Sequence, residues 1–302
     1  MKKIICLAFA FSALAYSASA QFYISGGLGY AFPQAGQTVD GTGQPYNGTS
    51  NNGANTETFN IKGASFSAGL QGAIGIGYMF SEHVGVQLDM NVGLSTKKYT
   101  FSQDSVEIGG VLNNYSVVQQ AKSPVFLIPS LVLQTGDENK VNLYSRFGIV
   151  LPMKTTITQD QVEVNLPGTG TPEALDFTVQ IKNSFALGFS AAVGVKYKVS
   201  DRLSIFGEAS LLSMSVYVKE ADLTSFSYNG QNQSLSYVSG PQTIKYSKNT
   251  VVDSADQVTY AQPFSNIGIK VGVTYNLSEK RRSKHSRHSD VEVGDDKPFR
   301  RR

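Results

Sequence analysis

The feature that most constrains this chain is strict alternation of residue character, sustained over long runs and repeated along its length. In "HVGVQLDMNVGLS" the apolar set is Val84, Val86, Leu88, Met90, Val92 and Leu94. The intervening set is Gly85, Gln87, Asp89, Asn91, Gly93 and Ser95. A period of two marks a β-strand with unlike faces. It serves equally a soluble sandwich with its apolar face inward and a membrane barrel with its apolar face toward lipid.

Three features separate the two. The runs are about ten residues long, near the roughly 9–11 that a tilted strand needs to cross a bilayer. Soluble strands are nearer roughly five or six. The face opposite the apolar one is crowded with small residues, as at Gly27 and Gly29, Gly69 and Gly75, Gly188 and Gly194, Gly268 and Gly272. A narrow barrel interior favours them, whereas a solvent face would carry Lys and Glu. Finally, aromatics mark the ends of the runs at Phe22, Tyr30, Phe32, Tyr78, Phe80, Tyr197 and Tyr275, as membrane-interface girdles do. Gly 29, Tyr 15 and Phe 17 with no Trp is consistent with a β-rich chain.

The first twenty residues read as an export signal. Lys2 and Lys3 precede the apolar "IICLAFAFSALA", and "SASA" sets Ala18 and Ala20 at cleavage positions, so the mature chain is expected to start at Gln21. Cys6, the only cysteine, lies at the wrong place for lipid attachment and is lost with the signal. Disulfides and thiolate metal sites are thereby excluded from the mature chain. Past residue 20 no stretch approaches the roughly 18 consecutive apolar residues of a membrane helix.

The strand ends repeat one another. "GIGYMFSEHVGV" (75–86) aligns with "GVKYKVSDRLSI" (194–205), each a strand, a Ser-acid turn and a second strand. "GVTYNLSEKR" (272–281) matches through the turn, and "GLGYAF" (27–32) shares the first part. With "FYISGGLGYAF", the "GIGYMFSEHVGVQLDMNVG" hairpin and the last strand "KVGVTYNL", residues 21–278 resemble the OmpA/OmpX-type outer-membrane β-barrel family, in the style of the Bacteroidetes outer membrane protein β-barrel domain. The resemblance implies an all-β, eight-stranded antiparallel transmembrane barrel in an up-and-down meander. It also implies that Gly272, Tyr275 and Leu277 form the signal for the barrel-insertion machinery, with Leu277 standing where an aromatic is usual.

Eight strands are placed at 21–32, 65–80, 84–100, 124–135, 142–154, 185–199, 203–218 and 264–277. The connections alternate. "SEH", "GDENK" and "SDR" are short; 33–64, 101–123, 155–184 and 219–263 are long, which is the asymmetry of periplasmic turns and extracellular loops. "TTITQDQVEVNL" and "LDFTVQIKN" continue the alternation, and "TSFSYNGQNQSLSYV" carries an Asn-Gly hairpin turn. The long loops are therefore expected to form a partly β-structured protrusion, with 33–64 a mobile polar cap. Its edges and Phe226, Tyr228, Tyr237 and Tyr246 would face an extracellular protein or host ligand by strand addition.

Inside so narrow a barrel side chains fill the space. Asp89, Arg146, Glu208 and Lys270 fall on inward sets near mid-depth, and an isolated charge there would be costly. They are expected to pair, with Gln71, Gln134 and Lys196 nearby, as a plug rather than a solute path. The only histidines are His83, in a short turn, and His285 and His288, in the tail, so no long loop holds a general base for barrel-type hydrolases. No catalytic residue, cofactor or metal ligand is assigned. "DSV" at Asp104 and "DSA" at Asp253 resemble short O-glycosylation motifs of Bacteroidetes.

From Glu279 to Arg302 nine Lys/Arg face five Asp/Glu, whereas 21–278 hold fifteen against eighteen. The chain thus divides into a signal (1–20), a barrel (21–278) and a disordered basic tail (279–302), too short and polar to fold alone. An even strand count sends that tail to the periplasm, away from nucleic acid, where weak contact with cell wall or an anionic surface is expected. The expected role is structural and surface-interacting in the outer membrane, in contact with its lipid: envelope integrity, adhesion or shielding. The alternative is a small transport barrel or narrow channel for minor solutes.

Overall fold

The computed structural model describes residues 21–34, 63–108, 111–136, 140–167, 170–249 and 251–277, with side chains left aside at 101–113 and 166–167. The signal at 1–20, most of the 33–64 cap, the tail with His285 and His288, and the Asp104 side chain lie outside the described residues.

Strands β1 (Gln21–Pro33), β2 (Gly69–Met79) and β3 (Val84–Thr96) open the molecule. A hairpin, β4 (Tyr99–Ile108) and β5 (Val111–Ala121), precedes β6 (Val125–Gln134) and β7 (Val141–Lys154). A second, β8 (Ile157–Pro167) and β9 (Glu173–Asn183), precedes β10 (Gly188–Lys198) and β11 (Leu203–Ser213). β12 (Ser215–Tyr228) follows, with the short β13 (Gln231–Asn232), β14 (Thr243–Ser247), β15 (Asp256–Val258) and β16 (Ala261–Pro263). β17 (Asn266–Asn276) ends the described chain.

Eight of these close into an antiparallel barrel in the order β1-β17-β11-β10-β7-β6-β3-β2. In chain order the barrel strands form a meander, because each connection between neighbours is either a tight turn or an excursion that returns beside its start. The excursions are themselves paired. β4, β5, β8, β9 and β12 keep the lateral order of β3, β6, β7, β10 and β11, and β14 and β15 extend that sheet. Five barrel strands therefore rise into a wall at one end, while β17 continues only as the short β16 beside β12, and β1 and β2 have no such continuation among the described residues.

The polarity is that of a membrane barrel. Every second residue of β17 (Ile267, Ile269, Val271, Val273, Tyr275) is exposed, and so are Phe185, Leu187, Phe189, Val193, Val195, Tyr197 and Val199 on the run that contains β10. Asn266, Lys270 and Thr274, on the opposite face of β17, are buried.

Three boundaries differ from the sequence expectation. The runs 84–100 and 203–218 are each two strands, parted at Lys97–Lys98 and at Met214. There the backbone leaves the ladder: the Lys97 N–H donates to Ala68 O at 2.9 Å and the Met214 N–H to Ser265 Oγ at 2.9 Å. Residues 65–68, expected to begin the second strand, instead fold with Ala64 into the barrel mouth and are fully buried. The connection 101–123 holds the β4–β5 hairpin, which its sequence had not signalled.

Candidate functional site

The barrel interior is organised by two tyrosines and two glycines at the short-turn end. Tyr23 lies opposite Gly77 and Tyr144 opposite Gly194 in register. A β-carbon added at either glycine would overlap the tyrosine ring. Each ring thus fills the space that the neighbouring strand leaves free, and its hydroxyl points to the barrel axis. Lys196 sits between the rings, its Nζ 5.1 Å from the Tyr23 centroid and 4.8 Å from that of Tyr144.

Above the tyrosines lies a layer of charge. Tyr23 Oη donates to Gln87 Oε1 (2.8 Å), and Gln87 Nε2 donates to Asp89 Oδ1 (2.6 Å) and to Ser25 Oγ (3.2 Å). The Arg146 guanidinium donates from Nη1 to Asp89 Oδ2, and from Nη2 to both Glu208 oxygens at 2.7 and 2.5 Å. Tyr144 Oη donates to Glu208 Oε2 (2.9 Å), and Lys270 Nζ lies 3.6 Å from Glu208 Oε1. Asp89 and Glu208 are each only 4% exposed. Two carboxylates and two cations form a neutral quartet, the condition under which charges persist in a membrane interior.

The structure therefore brings together Asp89, Arg146, Glu208 and Lys270, with Lys196 one level toward the turns. Gln71 and Gln134 stand apart. Gln71 Nε2 donates to Ser67 O (2.7 Å) in the mouth. Gln134 Nε2 donates to Glu82 O (3.0 Å), beside His83, whose Nδ1 is 3.2 Å from Gln134 O. The expectation for Gln134 was right in face and wrong in depth, because β6 ends there. Two cavities of about 20 Å³ each flank the quartet, one bordered by Ser25, Lys196 and Thr274, the other by Gln71, Asn91 and Ser190. Each has room for about one water.

The sheet end is sealed by apolar packing. Phe66 meets Tyr99 edge-on and Phe264 at a tilt (centroids 5.8 Å each), and Phe126 meets Phe264 at 6.1 Å. The inserted segment is held by polar ties: Ser65 N–H to Tyr99 Oη (2.9 Å), Tyr99 Oη to Ser65 O (2.9 Å), and Ser67 Oγ to Phe264 O (2.5 Å).

Of the assembly trio, Gly272 faces inward under the Phe206 ring, while Tyr275 and Leu277 are exposed on the outer face. Among the girdle aromatics, Phe22, Tyr78 and Phe80 form a contact series at the turn end (4.6 and 5.2 Å), the end that also carries Tyr197 and Tyr275. Tyr30 and Phe32 pair at the sheet end (4.9 Å).

In the wall above the barrel, Tyr228 and Tyr237 are exposed, but Phe226 and Tyr246 are not available as contact aromatics. Phe226 is buried against Phe177 (5.2 Å, stacked) and Tyr246 packs edge-on against Tyr260 (5.8 Å). Register shifts at Val218/Glu220 and Leu223/Ser225 change which residues of β12 face inward. The Asn229-Gly230 turn has φ of 46° and 75°, the left-handed pair that a tight hairpin needs. Lys182 Nζ pairs with Glu220 (2.8 Å) and Asp222 (2.6 Å) across the β9–β12 seam. The hydrogen bond from Lys182, then that from Thr243, holds the Asp222 carboxyl below its usual range, and the same acids hold Lys182 above its own. Asp253, of the "DSA" tripeptide, is exposed and accepts from the Ala255 and Asp256 N–H groups at 2.7 Å.

The family model described as outer membrane protein beta-barrel domain matches residues 4–238. No curated protein matches the sequence. Among solved structures, the chain is similar to the outer membrane protein OprG of Pseudomonas aeruginosa, at 11% identity over 86% of this chain and 96% of that one, with a TM-score of 0.40. It is similar to a major outer membrane protein of Thermus thermophilus at 11% identity over 85% and 99%, TM-score 0.34. It is also similar to CarO of Acinetobacter baumannii at 15% identity over 68% and 92%, TM-score 0.29.

Proposed function

Because this chain belongs to the outer membrane protein β-barrel family, we propose that it is a closed barrel of the outer membrane whose work is done at the surface by its raised wall. The short turns and the basic tail face the periplasm, the wall faces outward, and export precedes insertion through a signal cleaved after Ala20. Gly272, Tyr275 and Leu277 serve recognition by the insertion machinery. The wall meets an extracellular protein or shields the cell, and catalysis forms no part of the role.

The observation that carries this reading is the double closure of the lumen. The charge quartet fills mid-depth, aromatic rings seal the mouth, and the cavities between hold about one water each. The wall, in contrast, is a continuous sheet with Tyr228 and Tyr237 exposed. Planar-bilayer recording of the purified protein should give no porin-scale conductance. Cells bearing Tyr228→Ser and Tyr237→Ser should lose adhesion or shielding at unchanged surface level and permeability. Porin-scale conductance, or altered solute uptake with intact adhesion, would favour the transport alternative instead.

A further inference from the structure

Between Asp222 and Lys245 the chain runs through 223–244 without an Asp, Glu, Lys or Arg. This stretch is the end of the wall: the top of β12, its hairpin turn, β13 and the return that leads into β14. Lower on the same sheet charge is frequent, as at Asp160, Asp176, Lys182, Glu220 and Asp222. Such charges ordinarily keep an exposed sheet soluble and its edges unpaired. At the tip the exposed polar groups are amides and hydroxyls instead, among them Asn229, Gln231, Asn232 and Gln233.

The tip is nonetheless held in shape. Asn229 N–H donates to Ala174 O, and Asn229 Oδ1 accepts from Ala174 N–H, both at 2.8 Å. Gln233 N–H donates to Phe226 O (2.9 Å) and Leu223 N–H to Gln242 O (2.8 Å), so the return lies along β12. Between those ties stands one turn of 3₁₀ helix, Leu235–Tyr237, capped by Ser234 Oγ, which accepts from Ser236 N–H (3.4 Å). Leu235 and Val238 share a side of that turn and are half-buried, which leaves Tyr237 turned out and 72% exposed. Tyr228 is 38% exposed, with its hydroxyl fixed on Glu173 Oε1 (3.0 Å). Among the described residues of the wall the other exposed ring is Tyr217 at its foot, and that one lies under the Lys248 ammonium (4.6 Å).

We propose that the tip binds an uncharged oligosaccharide, whose pyranose rings lie on Tyr237 and Tyr228 and whose hydroxyls meet the amides of Gln231, Asn232 and Gln233. A pyranose has an apolar C–H face and a rim of hydroxyls. The face suits an open aromatic ring, and the rim suits primary amides, which donate and accept at once. A backbone already ordered lowers the cost of binding. An anionic sugar is poorly served: 223–244 offer it no cation, and Glu173 and Asp176 border the tip, the latter holding Ser227 Oγ at 2.9 Å. A protein partner would look for Arg, Met or aromatic anchors in an apolar centre. Here the two tyrosines are the only large apolar side chains exposed in 223–244. The inference deepens the surface role proposed above and rests on it for the side of the membrane that the tip faces.

The test uses the full-length protein, refolded in a detergent without a sugar headgroup. It is passed over immobilised neutral oligomers of glucose, galactose, mannose and N-acetylglucosamine, and over sulfated and sialylated galactose oligomers. At least one neutral oligomer should be retained, with little change on adding salt, because no charge takes part. Tyr237→Ala should weaken retention about tenfold, the scale of one lost stacking contact. Tyr237→Phe should restore it, and Tyr217→Ala should leave it unchanged. Failure to retain any neutral oligomer, or preference for the sulfated or sialylated ones, would overturn the proposal. So would retention by Tyr237→Ala within about twofold of wild type, or an equal loss in Tyr217→Ala. Heat-modifiable migration verifies folding, and should Tyr237→Ala fail that check, Gln231→Ala/Asn232→Ala takes its place with the same outcomes. Cells bearing Tyr237→Ala that lose adhesion, when the wild-type protein retains no sugar, would point to a protein partner; the surface role would stand and this inference fall. Sugar retention that Tyr237→Ala abolishes, with adhesion and shielding untouched, would do the reverse.

Discussion

Asp89 and Glu208 hold opposite ends of one guanidinium, that of Arg146, from strands on different sides of the barrel axis. Removing the arginine would leave two buried carboxylates against a single cation of the quartet, Lys270 beside Glu208. Arg146→Met should cost about 3–5 kcal/mol in reversible unfolding from lipid bilayers. The quadruple change Asp89→Asn/Arg146→Met/Glu208→Gln/Lys270→Met should recover most of that loss, since all four charges of the quartet are then removed together. A quadruple variant as unstable as the single one would show that the quartet supplies stability beyond mutual neutralisation.

Gly77 and Gly194 are required by space, not by backbone conformation. Gly194→Ala would drive a methyl group into the Tyr144 ring and with it the hydroxyl that donates to Glu208. A loss of about 1–3 kcal/mol is expected from overpacking. Adding Tyr144→Phe should not restore it, whereas adding Tyr144→Ala should relieve the clash. Denaturant titration of the three variants distinguishes these outcomes.

The β9–β12 seam should be sensitive to acid and insensitive to mild base. Asp222 has its carboxyl pKa lowered by Lys182 and Thr243, so its contribution is present above the ordinary carboxylate value and lost as pH falls through the lowered one. Lys182 has its pKa raised, and its contribution persists from neutral pH past the ordinary lysine range. Hydrogen exchange of the amides in 179–183, corrected for intrinsic rates, should therefore accelerate below about pH 4 and stay constant from neutral to moderately alkaline pH. Asp222→Asn should abolish the acid limb.

At the wall's tip, Gly230 occupies φ 75° after Asn229 at 46°. Gly230→Val places a β-branched residue where only glycine is comfortable, at a cost of roughly 1–2 kcal/mol. The β12–β13 hairpin should fray, seen as faster surface proteolysis between 226 and 234 with barrel stability unchanged.

Much of this architecture was legible from alternation alone, because a period of two with small residues on one face admits few other folds. All eight barrel strands lie where the pattern put them. The turn repeat held more than its alignment suggested. Asp89 and Glu208 stand at the same offset from Ser81 and Ser200, so extending the match one strand further aligns the two acids that meet at Arg146. What the pattern missed has physical causes. Bulges in β12 exchange its faces, which buries Phe226. Residues 64–68 follow no period because their order comes from Tyr99, Phe264 and Asn266, all distant in sequence.

The repeated hairpins also pose a problem that the charge layer solves. Two halves built on similar strand–turn–strand units could join with one slid along the other, since alternating apolar and small residues fit nearly as well after a shift of two. Arg146 has no counterpart in the other half, and it can reach Asp89 and Glu208 together at one offset only. Any slipped closure would strand carboxylates in the bilayer interior. The quartet thus acts as a register key, admitting a single shear among the closures the hydrophobic pattern alone would tolerate.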